Sequence, residues 1–520
     1  MKLDYKRTIL VGFAFFLISA FWQAYDATIP VILTNKFGMS QTWSGVIMAL
    51  DNILAVFMLP IFGALSDKCV KSKTGKRTPF ITIGATCAAL LLVCLSFVDN
   101  AQLNSLADVS KIDDPAALSA IYDQQADAEL VNPDGERFVL NEKFPNKEDF
   151  VNITSKITLS SGDTITNPDY TNYVAPARQA CAADATAKNP VNLILFVVLL
   201  LAVLIAMATF RSPAVALMPD VTIKPLRSKA NAIINLMGTA GGILVLVLGI
   251  VFATSSVQNS MMNYFVYYGI IAAIMLGALL VFRLTVHEPQ WTEEMREKSR
   301  ELGIEENEDN RQSGERKLGK DETRSLILIL ASIALWYIGY NAVTSKYSLY
   351  AGRVLDMDYN TTLLLAQGAA IVSYLPAGIV ASKIGRKKTI LAGVIMLSCA
   401  FAFASFMRAG SSALLMNILF ALAGIGWATI NVNSFPMVVE MCSGSDIGKY
   451  TGYYYTASMA AQIVTPVLSG WLMDVTGKMT VLFPYAAVFA GLAFVTMFFV
   501  KHGDAKVEAK TGMEAFDTED

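Results

Sequence analysis

Four charged residues stand inside long apolar stretches of this sequence: Asp26, Asp51, Arg211 and Lys346. A charge inside a membrane-spanning segment costs about 2.5–3.5 kcal/mol on insertion scales, so such residues usually face a cavity or a partner. Burial favours a neutral aspartic acid and a nearby cation favours an ionised one, an opposition that suits a proton-coupling site. We expect Asp26, Asp51 and Lys346 to form either a coupling site or a salt bridge that closes the outer side.

The same stretches contain aromatic, amide and basic side chains that could bind a hydroxyl-rich ligand. A sugar presents C–H patches ringed by hydroxyl groups, so flat aromatic faces and a few fixed polar groups recognise it. The substrate-binding candidates are Trp22, Gln23, Arg211, Tyr337, Asn341, Asn431, Asn433 and Gln462. Hydrogen bonding between helices is the alternative role for any one of them.

The composition is that of a membrane protein. Of 520 residues, 54% are hydrophobic and 16% are charged, whereas soluble domains average about 25% charged residues. A membrane span needs roughly 20 mostly apolar residues. Twelve runs qualify: about 8–31, 43–65, 79–98, 192–218, 230–253, 264–285, 324–351, 361–382, 388–407, 411–437, 447–473 and 481–501. The first run is too long for a signal peptide, so we interpret it as a retained helix.

Lysine and arginine indicate the orientation of these spans, because they concentrate in cytoplasmic loops. The loops on one side carry Lys68, Lys71, Lys73, Lys76, Arg77, Lys224, Arg227, Lys229, Lys383, Arg386, Lys387 and Lys388. The short loops on the other side carry little more than Lys36, Arg353, Arg408 and Lys478. We therefore expect both termini to be cytoplasmic, in a multi-pass protein of the cell membrane.

Two polar segments divide the chain. Residues 287–323 are highly charged and separate an N-terminal bundle (1–286) from a C-terminal bundle (324–502), and a tail follows (503–520). We interpret 287–323 as a solvated, partly helical cytoplasmic linker. Residues 99–190 form a long polar insertion on the outer side, and loops of this length usually have a function or a fold of their own. We predict a small cap domain with a helix in 113–130 and short strands in 137–140 and 157–167.

One hinge sequence occurs in both halves. The first copy contains Gly63, Asp67 and Arg77 within GALSDKCVKSKTGKR, and the second contains Gly378 and Arg386 within GIVASKIGRKK. Internal repeats are common in transporters, whose substrate site lies between the repeats near the midplane. The sequence predicts an all-α membrane protein, with twelve transmembrane helices in two six-helix, pseudo-symmetric bundles.

These hinges carry a family resemblance. The second copy follows G-x-x-x-D-(R/K)-x-G-(R/K)-(R/K), the signature loop of the major facilitator superfamily, except that Ser382 replaces the acid. The first copy is similar to the longer loop of plant sucrose transporters and their relatives. Residues 212–233 and 451–474 resemble the fourth-to-fifth and eleventh helices of this glycoside–cation symporter group. The resemblance implies the major facilitator fold, with helices 1, 4, 7 and 10 lining the cavity.

The resemblance also implies an inner gate. Such a cluster closes the inner face when these transporters open outward, and here it would comprise Gly63, Asp67, Arg77, Asp220, Gly378 and Arg386. Two departures bear on the site. Val215 stands where plant sucrose transporters have a sugar-contacting arginine, and Ala55 and Leu59 replace the sodium-linked aspartates of melibiose-type symporters.

The expected function is proton-coupled uptake of a sugar or glycoside, such as a disaccharide, with a proton favoured over sodium. Export of an amphiphilic, drug-like solute and substrate sensing on a transporter scaffold are the alternatives. The chain has two histidines, both outside the runs, and six scattered cysteines. From this pattern we expect no enzyme activity, no metal site and no cofactor. We expect a monomer in a lipid bilayer, without a nucleic-acid partner.

Overall fold

The computed structural model describes residues 3–69, 73–158, 164–223, 226–301, 319–439, 441 and 447–503. The N-terminal half contains α1 (Tyr5–Asn35), α2 (Gln41–Lys68), α3 (Thr78–Ser105), α4 (Pro115–Gln125), β1 (Glu129–Val131), β2 (Arg137–Val139), α5 (Leu140–Lys143), α6 (Lys147–Val151), β3 (Lys156–Thr158), β4 (Thr164–Thr166), α7 (Ala175–Lys188), α8 (Val191–Val221), α9 (Arg227–Val251) and α10 (Phe265–Thr285). The linker helix α11 (Glu288–Glu301) follows. The C-terminal half contains α12 (Lys320–Tyr350), α13 (Tyr359–Ile384), α14 (Arg386–Ala404), α15 (Ala413–Val439), α16 (Ile447–Thr476) and α17 (Leu482–Phe498).

The predicted all-α architecture is confirmed. Ten helices in the described ranges are long and apolar enough to cross a membrane. Helices α13 and α16, of 26 and 30 residues, occupy the positions of the predicted eighth and eleventh spans. Each half therefore contributes six long helices, and each half has its own apolar core.

Of the predicted insertion 99–190, residues 99–105 continue α3, and the described residues from Leu106 to Lys188 fold into a small domain with a separate core. Phe150, Tyr170 and Val174 are fully buried in it. Helix α4 forms in the segment predicted to be helical, and β1–β2 and β3–β4 are antiparallel pairs that include both predicted strand segments. The turn at 159–163 lies outside the described residues, as do linker residues 302–318 and the tail after Gly503.

The insertion contacts both halves of the bundle. It follows α3 and precedes α8 in the N-terminal half, and described hydrogen bonds join it to the C-terminal half at Thr166, Pro133 and Gln179. The Thr166 backbone N–H donates to Asp356 Oδ2 at 2.8 Å, and the Met479 N–H donates to the Pro133 carbonyl at 3.0 Å. We call the end of the bundle that carries the insertion the outer end, and the end that carries α11 the inner end.

The linker begins as a docked helix, so its interpretation as a solvated tether is wrong for α11. Trp291 and Met295 are 7% exposed, and the Arg7 side chain both pairs with Glu294 and lies over the Trp291 ring at 5.1 Å. The Arg7 hydrogen bond holds the pKa of the Glu294 carboxyl below its usual range. Buried residues at a helical spacing of three or four give α11 one face that packs beneath the N-terminal half.

A fully buried ion pair fixes the outer part of the N-terminal half. Lys36 Nζ donates to Asp99 Oδ1 at 2.6 Å and to the Met262 carbonyl at 2.8 Å. Both side chains are 0% exposed. Because removing one member of a buried pair costs roughly 3–5 kcal/mol, this contact ties α1 firmly to α3 and to the segment before α10.

Deletion of residues 107–188, with a short glycine–serine linker between α3 and α8, should leave a folded membrane protein. The insertion has its own core, and each half of the bundle has another. Size-exclusion chromatography in detergent should give one symmetrical peak for the deletion variant, as for the parent. Aggregation of all the protein would show that the bundle needs the insertion to fold.

Candidate substrate and coupling site

The two halves meet at a row of hydrogen bonds that we call the outer seam. Its described bonds join Arg353 to Asn35, Lys346 to the Gln41 carbonyl, Asp474 to the backbone N–H groups of Gln41 and Thr42, Asp358 to Ser255, and Tyr359 and Asn360 to Thr254. These residues lie at or near the outer ends of α1, α2, α9, α12, α13 and α16. The structure therefore has a closed outer end.

Close packing of α2 against α16 contributes to this closure. A Cβ atom at Gly45 would lie 2.0 Å from the Pro466 carbonyl oxygen, and one at Gly470 would lie 2.2 Å from the Gln41 carbonyl oxygen. Small residues allow helix backbones to approach this closely in membranes. A larger residue at either position would push the two halves apart.

Lys346 belongs to the outer seam. Its buried ammonium donates to the Gln41 carbonyl at 2.7 Å, and it interacts electrostatically with Asp474. It contacts backbone at the start of α2, whereas the cation that interacts with Asp51 is Arg211. Of the two roles expected for Lys346, this geometry supports the gate.

Asp26, Asp51 and Arg211, on three helices of the N-terminal half, form a charged cluster, which we call the central cluster. Asp26 and Asp51 interact electrostatically with each other, and Asp51 also interacts with Arg211. The Arg211 guanidinium lies 5.6 Å from the centre of the Trp22 ring, in a cation–π geometry. Tyr455 of the C-terminal half also interacts with Arg211. The cluster thus lies where the halves meet.

An amide pair crosses between the halves in the same region. Gln367 Nε2 on α13 donates to Gln23 Oε1 on α1 at 2.6 Å. Gly242 on α9 leaves room beside the pair, because a Cβ atom there would lie 3.3 Å from Gln367 Oε1. Gln367 is a functional candidate that the sequence interpretation missed. Its signal was a single amide within the apolar run 361–382.

Aromatic residues form a wall in the C-terminal half. The Tyr340 and Trp427 rings are stacked 3.6 Å apart and nearly parallel. The ring of Tyr337, a predicted candidate, lies edge-on to the Trp427 ring, with 5.2 Å between the ring centres. On α16, the rings of the consecutive residues Tyr454 and Tyr455 also pack edge-on. Trp427 and Tyr340 were not among the sequence candidates. Aromatic faces of this kind can support a sugar ring or an apolar solute.

The remaining candidates differ in their partners. Asn433 is 2% exposed and donates to the Thr429 carbonyl of its own helix, and Gln462 donates to the Ser458 carbonyl. Each of these bonds therefore joins two residues of the same helix, α15 for Asn433 and α16 for Gln462. Asn431 is half-buried. Among the described residues, the buried Asn341 Nδ2 and Trp22 Nε1 atoms have no hydrogen-bond partner, and such groups are rare without a ligand or water.

At the inner end, Arg77 binds the two acids that the sequence places near it. Its Nε donates to Asp220 Oδ2 at 2.8 Å and its Nη2 pairs with Asp67. Its Nη1 contacts Ser66, which in turn donates to the Gly63 carbonyl. The expected contact between Arg77 and Asp220 is present. All these contacts lie within the N-terminal half.

Glu288 completes this inner cluster. Its carboxylate accepts from the backbone N–H groups of Arg77 and Thr78, the latter at 2.7 Å, and it is 1% exposed. Gly75 is required here, because its φ is +104° and a Cβ atom would lie 2.3 Å from Glu288. In the second hinge, Gly378 lies within α13 and the buried Arg386 starts α14. The sequence interpretation missed Glu288 because it treated the linker as solvated.

The described residues show no group of three or more histidine, cysteine or acidic side chains that could hold a metal ion. Ala55 is buried and Leu59 is half-buried on α2. Val215 is 51% exposed, whereas Arg211, one turn earlier, lies in the central cluster. Arg211 therefore lies beside residues of both halves, next to Asp51 and Tyr455.

Comparisons with known proteins agree with this architecture. The sequence profile described as Major Facilitator Superfamily matches residues 179–372 and 360–517, and that described as MFS/sugar transport protein matches residues 10–105. The chain is 27% identical over 135 residues to the MFS-type transporter ppzB of Metarhizium rileyi, which covers 26% of this chain and 27% of the relative. It is 28% identical over 127 residues to an uncharacterized MFS-type transporter, MJ1317, of Methanocaldococcus jannaschii, covering 24% of this chain and 30% of the relative. The alignments therefore span less than a third of either relative.

Solved structures share the fold over nearly the whole chain. The inward-open xylose transporter XylE from E. coli has a TM-score of 0.57 at 14% identity, with 98% of each chain covered. The nucleoside transporter NupG has a TM-score of 0.55 at 14% identity, with 94% of this chain and 98% of that chain covered. Together with the profile that matches more than half of its residues, these similarities show that the chain belongs to the major facilitator superfamily.

Proposed function

We propose that this transporter couples proton movement to uptake of a sugar or glycoside by alternating access. The observation that carries the proposal is the central cluster, where Asp51 interacts with both Asp26 and Arg211 at the junction of the two halves. Charged groups inside a membrane bundle usually mark the path of a substrate or ion. The closed outer seam then represents one of the two end states of the cycle.

The paired acids support proton coupling. Two nearby carboxylates repel each other when both are ionised, and binding one proton relieves the repulsion. Arg211 can compensate the remaining charge, and a solute that contacts Arg211 would alter that compensation. Proton binding and solute binding would thus depend on the same guanidinium. With Ala55 and Leu59 in place of sodium-linked aspartates, a proton remains the favoured coupling ion.

The surrounding groups suit a hydroxyl-rich solute. Gln23 and Gln367 offer amide donors and acceptors from opposite halves, and the indole N–H of Trp22 is buried without a partner among the described residues. A solute with neighbouring hydroxyl groups can replace the amide–amide bond as the outer end opens. The sugar-transport profile over residues 10–105 supports the same solute class.

The aromatic wall favours a second candidate, export of an amphiphilic solute. Tyr337, Tyr340 and Trp427 offer stacked rings with few polar atoms. Such a surface can also bind a cationic group over the ring faces. Transport measurements therefore need to include both solute classes.

Uptake of a panel of labelled sugars into proteoliposomes, with and without a pH gradient, tests the proposal. At least one mono- or disaccharide should accumulate above its external concentration when the outside is acidic. A labelled amphiphilic cation serves as the comparison solute. Transport of the cation alone would support the exporter, and accumulation that requires sodium would contradict proton coupling.

Asp51→Asn should abolish accumulation of the solute driven by a pH gradient. The variant should still exchange the solute downhill across the membrane. The variant keeps the shape of the side chain but cannot bind and release a proton, and exchange requires no net protonation cycle. Asp26→Asn is the parallel test of the second acid. Accumulation and exchange are both measured with the solute that the panel identifies.

Asp123→Asn is the matched control, because it makes the same change at an exposed acid of the insertion, which pairs with Lys147. It should accumulate solute like the parent. If both Asp51→Asn and Asp26→Asn still concentrate the solute on a pH gradient, the coupling role assigned to the central cluster is wrong.

Asp67→Asn should slow transport by up to about fivefold without changing solute affinity, because an exposed ion pair contributes roughly 0.2–1 kcal/mol and Asp67 is 60% exposed. We propose that the inner cluster sets the conformational equilibrium, whereas the solute binds elsewhere. Initial uptake rates and equilibrium binding are compared with those of Asp321→Asn, an exposed acid at the inner end. A changed affinity with an unchanged rate would contradict the assignment.

A further inference from the structure

A cavity of about 70 Å³ lies at the outer end, where the insertion meets both halves of the bundle. Its lining includes Arg178 and Gln179 from the insertion, Asn35 and Ser256 from the N-terminal half, and Arg353 and Tyr359 from the C-terminal half. The cavity has room for several water molecules or one small oxyanion. It is separate from the central cluster, whose acids do not line it.

Two arginines face this cavity without a counter-ion. Arg353 donates to Gln179 Oε1 at 2.7 Å and to Asn35 Oδ1 at 2.6 Å, and both acceptors are neutral amides. Arg178 is 4% exposed and donates to the Val109 carbonyl at 2.8 Å and to the Tyr170 hydroxyl. Among the described residues, neither guanidinium has a carboxylate oxygen within 4.0 Å.

The acids that flank Arg353 in sequence are engaged elsewhere. Asp356 accepts from the backbone and hydroxyl of Thr166, and Asp358 accepts from Ser255 and caps the start of α13. Two of the five guanidinium donors of Arg353 are used by the amides, so further donors remain. A partly buried guanidinium group gains most from a planar or tetrahedral oxyanion, which accepts two or more of its N–H bonds.

We propose that this cavity binds a small oxyanion, such as phosphate, sulfate or a carboxylate group, through Arg353 and the hydroxyl groups around it. Arg178 supplies a second positive charge at the insertion side. Because the lining comes from the insertion and from both halves, the complete site exists only while the outer end is closed. The bound anion therefore stabilises the closed outer end, whichever solute the transporter carries.

The oxyanion can be a free inorganic ion or the acidic group of an organic solute, and the experiment separates these sources. The full-length protein in detergent is titrated with sodium phosphate, sodium glucuronate, glucose, and sodium chloride at matched ionic strength, and its melting temperature is followed by tryptophan fluorescence. Phosphate should raise the melting temperature saturably and above the chloride control. A response to glucuronate alone would assign the site to an organic acid, whereas glucose should have no effect through this site.

Arg353→Gln should weaken the apparent phosphate affinity about tenfold or more, because it removes a charge-assisted hydrogen bond. Arg137→Gln is the matched control, since Arg137 is an exposed arginine of the insertion paired with Glu129, and it should respond like the parent. Gln179→Glu places a carboxylate against Arg353 and should also abolish the response. This second variant decides the question if Arg353→Gln does not fold.

Hydrogen exchange gives a second readout. Phosphate should slow exchange of the backbone amides of residues 352–358 and 164–179 in the parent but not in Gln179→Glu. The proposal is overturned if no oxyanion stabilises the parent beyond chloride. It is equally overturned if Arg353→Gln and Gln179→Glu respond as the parent does. Neither result depends on sugar uptake, so the proposed transport function is judged separately.

Discussion

The outer seam is the contact on which the arrangement of the two halves depends, and its chemistry differs from that inside each half. In every described seam bond that involves a charged side chain, the partner is neutral: Lys346 and Asp474 bond to backbone, and Arg353 bonds to amides. The strong ion pairs, Lys36 with Asp99 and Arg77 with Asp220, lie within the N-terminal half. A seam that must open in each transport cycle needs many bonds of modest strength, because breaking a buried ion pair would cost several kcal/mol.

This division gives each region of the bundle a distinct mechanical role. Apolar packing holds each half together, and buried ion pairs add to it in the N-terminal half. Gly45 and Gly470 let α2 and α16 close tightly at the outer end. The inner cluster, with Glu288 from α11, fixes the hinge between α2 and α3 within one half. The insertion adds contacts across the seam at Thr166 and Pro133.

Most of the fold was predictable from sequence, because apolar runs and paired hinges report membrane spans and repeats directly. The contact between Arg77 and Asp220 was also predictable, since both residues lie at the inner ends of neighbouring helices. The cation that interacts with Asp51, however, could not be predicted from the sequence. Residue counting gives the depth of a side chain in the membrane, but the rotation of each helix decides which face it presents. That rotation brings Arg211 to Asp51 and turns Lys346 towards Gln41.

Other features were hidden for different reasons. Gln367 was a single amide in an apolar run, and only its contact with Gln23 across the halves distinguishes it from a residue that bonds its own helix. Helix α11 is so rich in charge that it resembles a tether, although Trp291 and Met295 mark a narrow apolar face. Lys36 and Asp99 lie just beyond the ends of predicted runs, where a charge suggests a loop.

Cross-linking the outer seam tests the central claim most directly. Ser255 Oγ donates to Asp358 Oδ1 at 2.7 Å across the two halves, so Ser255→Cys with Asp358→Cys, in a background where the native cysteines are serine, places two thiols across the seam. If the seam is the outer gate, oxidation should abolish uptake by the double variant and reduction should restore it, while oxidation should not change uptake by either single variant. Uptake by the oxidised double variant at the rate of the reduced one, with the cross-link verified by a gel shift, would contradict the account.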